Sequence, residues 1–240
     1  MDYRLALLTG IDIPIKELQV SIHQPTIKEI SMVGEEDFYQ GIQCLWVDKN
    51  KVLEDERLIS QTTNFQILMT IMQDPETGKD SKFVVSQVLK LCFPSFNLLV
   101  LPRSLLLKND QQEVIIDENN FDVLQDILKE IFCYKESSQD TFNPGNDAAR
   151  EIAEKLMRGR KRVAAQKSQQ DGSILSKYLS ILTVGLNTMS LDNLISCTLF
   201  QLYDLIERYH LYMSWDLDIR QRLAGGSPDS HPDDWMKNIH

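Results

Sequence analysis

The chain has 240 residues, 42% of them hydrophobic, and its 35 acids against 25 bases give a formal charge of −10. That apolar content supports a packed core of one large or two modest domains and excludes disorder throughout, while the acidic balance argues against a nucleic-acid-binding body. No apolar run reaches the roughly 20 residues that cross a bilayer, and the start, MDYRLALLTGIDIPI, carries Asp2 and no cleavage-site pattern, so a soluble protein of the cytosol is expected.

Arg4–Leu8 and Leu18–His23 read as two extended segments forming a hairpin across a link that bears Gly, Asp and Pro. Pro25 and Thr26 then open a helix with Ile27, Ile30 and Val33 at helical spacing. Gly34 separates it from a second, EEDFYQGIQCLWV, whose first turn is acidic. Asp55–Met72 places Leu58, Ile59, Phe65, Leu68, Met69 and Met72 at helical intervals and predicts one helix ending in the turn DPETGKD. Lys82–Cys92 predicts another that stops before Pro94. Residues 96–117, FNLLVLPRSLLLKNDQQEVIID, read as three short strands, with NDQQ as a turn and Pro102 at a corner or edge. Asp117 is expected to cap a helix whose stripe is Phe121, Leu124, Ile127, Leu128 and Ile131.

Glu136–Gly145 has no regular pattern and is the best boundary in the chain. Beyond it, helical segments are expected at about Asn146–Lys167, Ser173–Thr188 and Ser190–Leu223, with breaks near Met189 and near Tyr212–Asp216. Thr198–Leu223 is a long tyrosine-rich amphipathic stretch, with Leu199, Leu202, Tyr203, Ile206, Tyr209 and Met213 on one face. The expected architecture is α+β and predominantly helical. A small antiparallel or mixed sheet belongs to an N-terminal part, residues 1–143, and a C-terminal helical bundle to residues 144–226. Residues 227–240 form a flexible tail that ends in an aromatic peptide.

Motifs for chemistry are thin. Cys44, Cys92, Cys133 and Cys197 lie far apart in apolar stretches with no CxxC pair, and read as buried free thiols. In DKNKVLEDE, Asp48, Asn50 and Glu54 fall short of a calcium loop, because the fifth, sixth and twelfth places are Val52, Leu53 and Ile59. The acids of Glu35–Asp37 and Glu54–Glu56 fit better as first-turn charges at helix N-termini. GxSxG, GxGxxG and GxxxxGK[ST] are absent, and His23 and His210 have no nucleophile identifiable beside them in sequence. A non-enzymatic chain without metal or cofactor is expected.

Signals for binding are clearer. Residues 1–143 carry 23 acids and 13 bases, whereas residues 144–240 carry 12 of each. Within 150–167, seven Lys/Arg stand against two acids, among them Arg158, Arg160, Lys161 and Arg162. This run reads as the solvated face of a helix striped by Ile152, Leu156 and Val163, as a grip on the acidic part of this chain or a second copy, as a protein-partner surface, or as a nucleic-acid contact. Tyr203, Tyr209 and Tyr212 read as core or as interface anchors. WDLD, Trp215–Asp218, reads as an amphipathic turn with exposed charges. Behind the polar linker Ser227–Asp234, the terminal Trp235, Met236 and Ile239 either fold back on the body or dock in a partner's groove.

Five blocks, IHQPTIKEI, IDENNFDVLQDIL, AREIAEKLMRGRKR, TLFQLYDLIERYHLYMSWDLDIRQRLAGG and DDWMKNIH, run in order along most of the chain. They resemble blocks in tail assembly chaperones of siphophages of Gram-positive bacteria. The resemblance implies a small protein of the host cell cytoplasm that coats the tape-measure protein and recruits tail-tube subunits, with no active site; the family often includes a longer frameshifted product. Partner-binding residues expected on this reading are Trp235, Met236, Ile239, Arg158, Arg160, Lys161, Arg162, Tyr209, Tyr212 and Trp215. The alternatives are a structural tail or connector component, and a nucleic-acid or regulatory adaptor working through the basic helix 150–167. Membrane is not an expected partner.

Overall fold

The structure, a computed structural model, describes residues 3–53, 55–133, 173–186, 189–225 and 236. The expected helix Asn146–Lys167, the boundary Glu136–Gly145 and the linker Ser227–Asp234 lie outside the described residues.

The fold is α+β and mostly helical. Helix α1 (Tyr3–Thr9) leads into a hairpin of β1 (Ile13–Ile15) and β2 (Val20–Ile22), antiparallel with Ile13 opposite Ile22. Arg4–Leu8 is thus helical, not the first strand of the hairpin. Leu, Ala and Arg favour helix, and Arg4–Leu8 contains no β-branched residue of the kind that favours strand. Ala6 and Leu7 face the core.

Thr26 caps α2 (Ile27–Val33) through a reciprocal box with Glu29. Gly34, at φ +102°, separates it from α3 (Glu35–Leu45), whose first turn holds Glu35, Glu36 and Asp37. Asp48 and Asp55 cap the short α4 (Lys49–Val52) and α5 (Glu56–Gln61). The single helix expected over Asp55–Met72 is in fact two. Thr63 forms a capping box with Gln66 and starts α6 (Asn64–Gln73) afresh, because that box satisfies donors that a continuous helix would bond internally. The Asp74 carboxylate accepts from the backbone of Glu76 and Thr77 in a tight turn. Helix α7 (Gly78–Cys92) therefore starts one turn before Lys82. Helices α3 and α7 pack closely at Gly41, where an added Cβ would lie 2.5 Å from the Val84 carbonyl oxygen.

Strands β3 (Asn97–Val100), β4 (Leu105–Lys108) and β5 (Glu113–Ile116) form an antiparallel meander in the order β3-β4-β5. Leu105, Leu107, Val114 and Ile116 point into the core. Asp117 is not the N-cap of α8 (Phe121–Ile131); Asn120 holds that position. Asp117 instead organises the preceding turn, accepting from Asn119 N while its own N–H donates to Asn120. Phe121, Leu124, Leu128 and Ile131 are buried.

Three C-terminal helices close the same core: α9 (Ile174–Gly185), α10 (Leu191–Ile195) and α11 (Leu199–Leu223). Ser190 caps α10. The run expected from Ser190 to Leu223 breaks at Ser196–Cys197, where Thr198 forms a new capping box with Gln201; the helix continues through Tyr212–Asp216 without a break. Two buried glutamines tie segments that lack regular pairing. Gln24 donates to the carbonyls of Ala6 and Ile11, and Gln125 to those of Leu45 and Val47. Each keeps loop carbonyls from being stranded inside, where each would cost about 1–3 kcal/mol.

Candidate partner-binding surface

The surface is built on α11. Its N-terminus is fixed from several sides. Thr198 pairs with Thr26 in an isolated antiparallel bridge, so the capping residues of α11 and α2 lie back to back, and Ile27 N donates to Cys197 O at 2.8 Å. Gln201 completes the box by accepting from Thr198 N, and its amide donates to Leu8 O at the end of α1, 2.8 Å away. Gly10, at φ +68°, lets the chain turn against this joint, since a Cβ there would lie 3.2 Å from the Thr198 methyl.

The first turns of α11 are core. Leu199, Phe200, Leu202 and Ile206 are buried. Tyr203 is half-buried, with its hydroxyl 3.0 Å from that of Tyr39 and its ring edge-on to Tyr178. Burial pushes both phenols above their ordinary range; Tyr203 raises Tyr39 further, while for Tyr203 the shared hydrogen bond works the other way. These hydroxyls stay neutral and serve as a structural clasp. Tyr209 lies against Gly185 of α9, where an added Cβ would come within 2.4 Å of the ring. Glu35 accepts from the backbone of Ile174 and Leu175, capping α9 from the start of α3 and setting the helix against which α11 packs.

Past Tyr209 the character of α11 changes. Roughly 25 Å of helix follows Ile206, and buried positions cease. Met213 and Leu217 continue the stripe of Leu199, Leu202 and Ile206 but are 44% and 57% exposed; Leu223 is 83% exposed, and Tyr212 is exposed. Tyr212 stacks on Trp215 with ring centres 6.3 Å apart, and Asp216 accepts from Arg220 at 2.8 Å. One helix is therefore anchored at its root and, along its outer half, exposes Met213 and Leu217 beside the Asp216–Arg220 ion pair.

Among the expected binding residues, the fold brings Tyr209, Tyr212 and Trp215 onto this helix, the first packed inward and the second exposed. Met236 is exposed. Trp235, Ile239, Arg158, Arg160, Lys161 and Arg162 lie outside the described residues. Sequence reading missed Met213 and Leu217 as exposed residues. The periodicity that buries Ile206 is the same that presents them, and only the extent of the body distinguishes the two halves.

Elsewhere, a groove of about 590 Å³ lies along α3, α4 and α7, lined by Cys44, Trp46, Lys51, Asp80 and Ser81 among others. Burial pushes the Cys44 thiol up, against the lowering hydrogen bond to Ser81, so it is not an activated nucleophile. Cys92 is the one cysteine that is fully buried; Cys44, Cys133 and Cys197 are half-buried, which corrects the expectation of four buried thiols. His23 is placed between two carboxylates, Nδ1 3.0 Å from Asp12 and Nε2 3.3 Å from Glu29. No group of three His, Cys, Asp or Glu able to hold a metal ion occurs among the described residues. Among them, too, no helix is long and apolar enough to cross a membrane.

Residues 166–240 match the family model described as the YomV second domain. This links the C-terminal part of the chain to a phage-associated family. The YomV-like stretch takes in less than a third of the chain, and it contains α9, α10 and α11 with the whole of the exposed apolar surface just described. No curated protein and no solved structure matches the chain.

Proposed function

We propose that the chain acts as a phage tail assembly chaperone in the host cell cytoplasm, binding the tape-measure protein and tail-tube subunits without catalysis. The observation that carries this reading is the outer half of α11, a rigidly rooted helix whose Tyr212, Met213, Leu217 and Leu223 are left exposed. The link of this stretch to a phage-associated family supports the setting, and the acidic excess keeps such a surface soluble.

Burying these partly exposed side chains yields roughly 1 kcal/mol each, about 4 kcal/mol together. Before the cost of association is taken off, that is at best a contact of about millimolar strength. A long partner offering many apolar sites would gather copies by multivalency and still release them when a tighter-binding subunit arrives. On this reading Trp235, Met236 and Ile239 add a second, tethered contact, and the bases Arg158, Arg160, Lys161 and Arg162 a third.

The test is co-purification of the chain with tape-measure and tail-tube proteins, for wild type and for Met213→Asp with Leu217→Asp. Association of the wild type and its loss in the double variant, at unchanged Tm, is the expected result; failure of the wild type to associate with either protein removes the proposal. Mass spectrometry of purified particles checks it separately. A chaperone is absent from them, whereas a structural component is present in fixed copy number.

A further inference from the structure

The three-stranded sheet has two edges, and they are treated differently. Leu101 N donates to Ser104 O at 2.9 Å, which makes Leu101 and Ser104 a hydrogen-bonded pair. By the alternation of an antiparallel ladder, Leu99 and Asn97 also bond toward β4, so the N–H and C=O of Leu98 and Val100 face outward from the sheet. The same reasoning on β5, from Asn109 N to Gln112 O, turns the groups of Glu113 and Ile115 outward. There the Asn120 amide takes the Ile115 carbonyl at 2.9 Å and blunts the edge. Among the described residues nothing comparable meets the outward groups of Leu98 and Val100.

An unguarded edge is unusual. Natural sheets protect edges with Lys, Pro, bulges or a covering element, because a bare edge recruits another strand. The strand β3 reads NLLV and is followed by Leu101, and residues 94–102, PSFNLLVLP, contain no charge at all in a chain of net −10. On its outer face Asn97 is polar, and Leu99 and Leu101 are apolar and exposed. Leu99, opposite Leu106, which is opposite Ile115, forms an in-register row across the solvent face; Leu99 is 50% and Ile115 54% exposed.

We infer that the β3 edge pairs with β3 of a second copy of this chain, antiparallel about a two-fold axis at Leu99. The match is internal to the strand. The outward groups of Leu98 and Val100 lie symmetrically about Leu99, so a reversed copy sets every outward donor opposite an acceptor: Leu98 of one copy meets Val100 of the other, and Val100 meets Leu98. Leu99 then lies beside Leu99 on the outer face and joins the two apolar rows into one. The sheets fuse into a continuous antiparallel sheet. Elsewhere the acidic surface opposes approach of a like molecule, and this uncharged segment is where two copies meet without that penalty. The pairing uses a face remote in sequence from α11 and stands whether or not the proposed assembly role does.

The experiment uses the full chain. Light scattering at roughly 100 µM, well above a micromolar Kd, is expected to give about twice the chain mass of 27.7 kDa. Leu99→Lys, which sets two charges against each other on the axis, and Val100→Pro, which removes an outward N–H and spares the β3–β4 ladder, are expected to give the single mass. Met32→Lys, on an exposed position of α2, is expected to leave the dimer unchanged. A wild type that is monomeric at this concentration overturns the inference, as does an oligomer that persists in both edge variants. Should either variant fail to fold, amide exchange of the wild type decides. The Leu98 and Val100 amides should exchange at least about tenfold more slowly in the concentrated protein than after dilution to about 1 µM. Equal rates, or protection that appears only when a different protein is added, also overturn it.

Discussion

Gly185→Ala is a small change with a directional consequence. The new Cβ would lie 2.4 Å from Tyr209 Cζ and 2.5 Å from both Cε2 and the hydroxyl. Carbon atoms pack at about 3.5–4.0 Å, so the ring must retreat by roughly 1 Å or swing out from between α9 and α11. Overpacking of this kind costs about 1–3 kcal/mol, and replacing a helical glycine returns up to about 1 kcal/mol. The net loss is about 1–2 kcal/mol, or roughly 3–6 °C in Tm for a chain of this size. The decisive assay is a double-mutant cycle by urea unfolding. Tyr209→Ala alone should destabilise, but once it is present Gly185→Ala should cost nothing or stabilise slightly, giving a coupling of about 1–3 kcal/mol. If the two substitutions are additive within about 0.5 kcal/mol, or if Gly185→Ala alone raises Tm, the placement of Tyr209 against α9 is wrong.

Three further outcomes are expected. Gln125→Leu strands the carbonyls of Leu45 and Val47 and should lower unfolding stability by about 1–3 kcal/mol in a urea titration; a neutral result would mean those carbonyls find water. Thr198→Ala removes the cap of α11 and should cost about 1 kcal/mol, with faster amide exchange at Gln201 as the local readout; unchanged exchange there would refute the cap. Glu29 is raised by burial but lowered more by its bonds from the Thr26 backbone, the Thr26 hydroxyl and His23, so its carboxyl is held below the ordinary range. Its stabilising effect is complete at neutral pH and disappears as pH falls below the ordinary glutamate value of about 4.3. Glu29→Gln should therefore flatten the acid limb of a Tm-versus-pH series, and a limb identical to wild type would count against the network.

What could be read from sequence was mostly local. The T-x-x-E signature at Thr26 opens a helix as expected; the matching T-x-x-Q at Thr63 and Thr198 was equally local, yet helical periodicity on both sides reads straight through it, and all three are capping boxes. The three strands of residues 96–117 and the turn between the last two stand where alternation and turn chemistry put them. Arg4–Leu8 is helical where a strand is expected, because a short apolar run has no period of its own and propensity decides it. The ties that assemble the body escaped for a different reason. Glu35 reaching Ile174, Gln125 reaching Leu45 and Tyr39 reaching Tyr203 join residues far apart in the chain, and no window of sequence contains both partners. For the candidate surface, the helix and its stripe are legible in sequence; where the body stops covering that stripe depends on the packing of α9 and α10.

The joint between Gln201 and Leu8 spans a sequence separation of 193 residues. At a synthesis rate of about 5–20 residues per second, the end of the first helix would wait roughly 10–40 s on the ribosome before Gln201, which holds the Leu8 carbonyl, is made; Gln24, on Ala6, ties it earlier. Until then Ala6, Leu7 and the hairpin behind them have an incomplete floor to rest on. The last contact of the opening segment is therefore completed by the late-emerging helices, and a chain lacking them would leave the end of its first helix undocked.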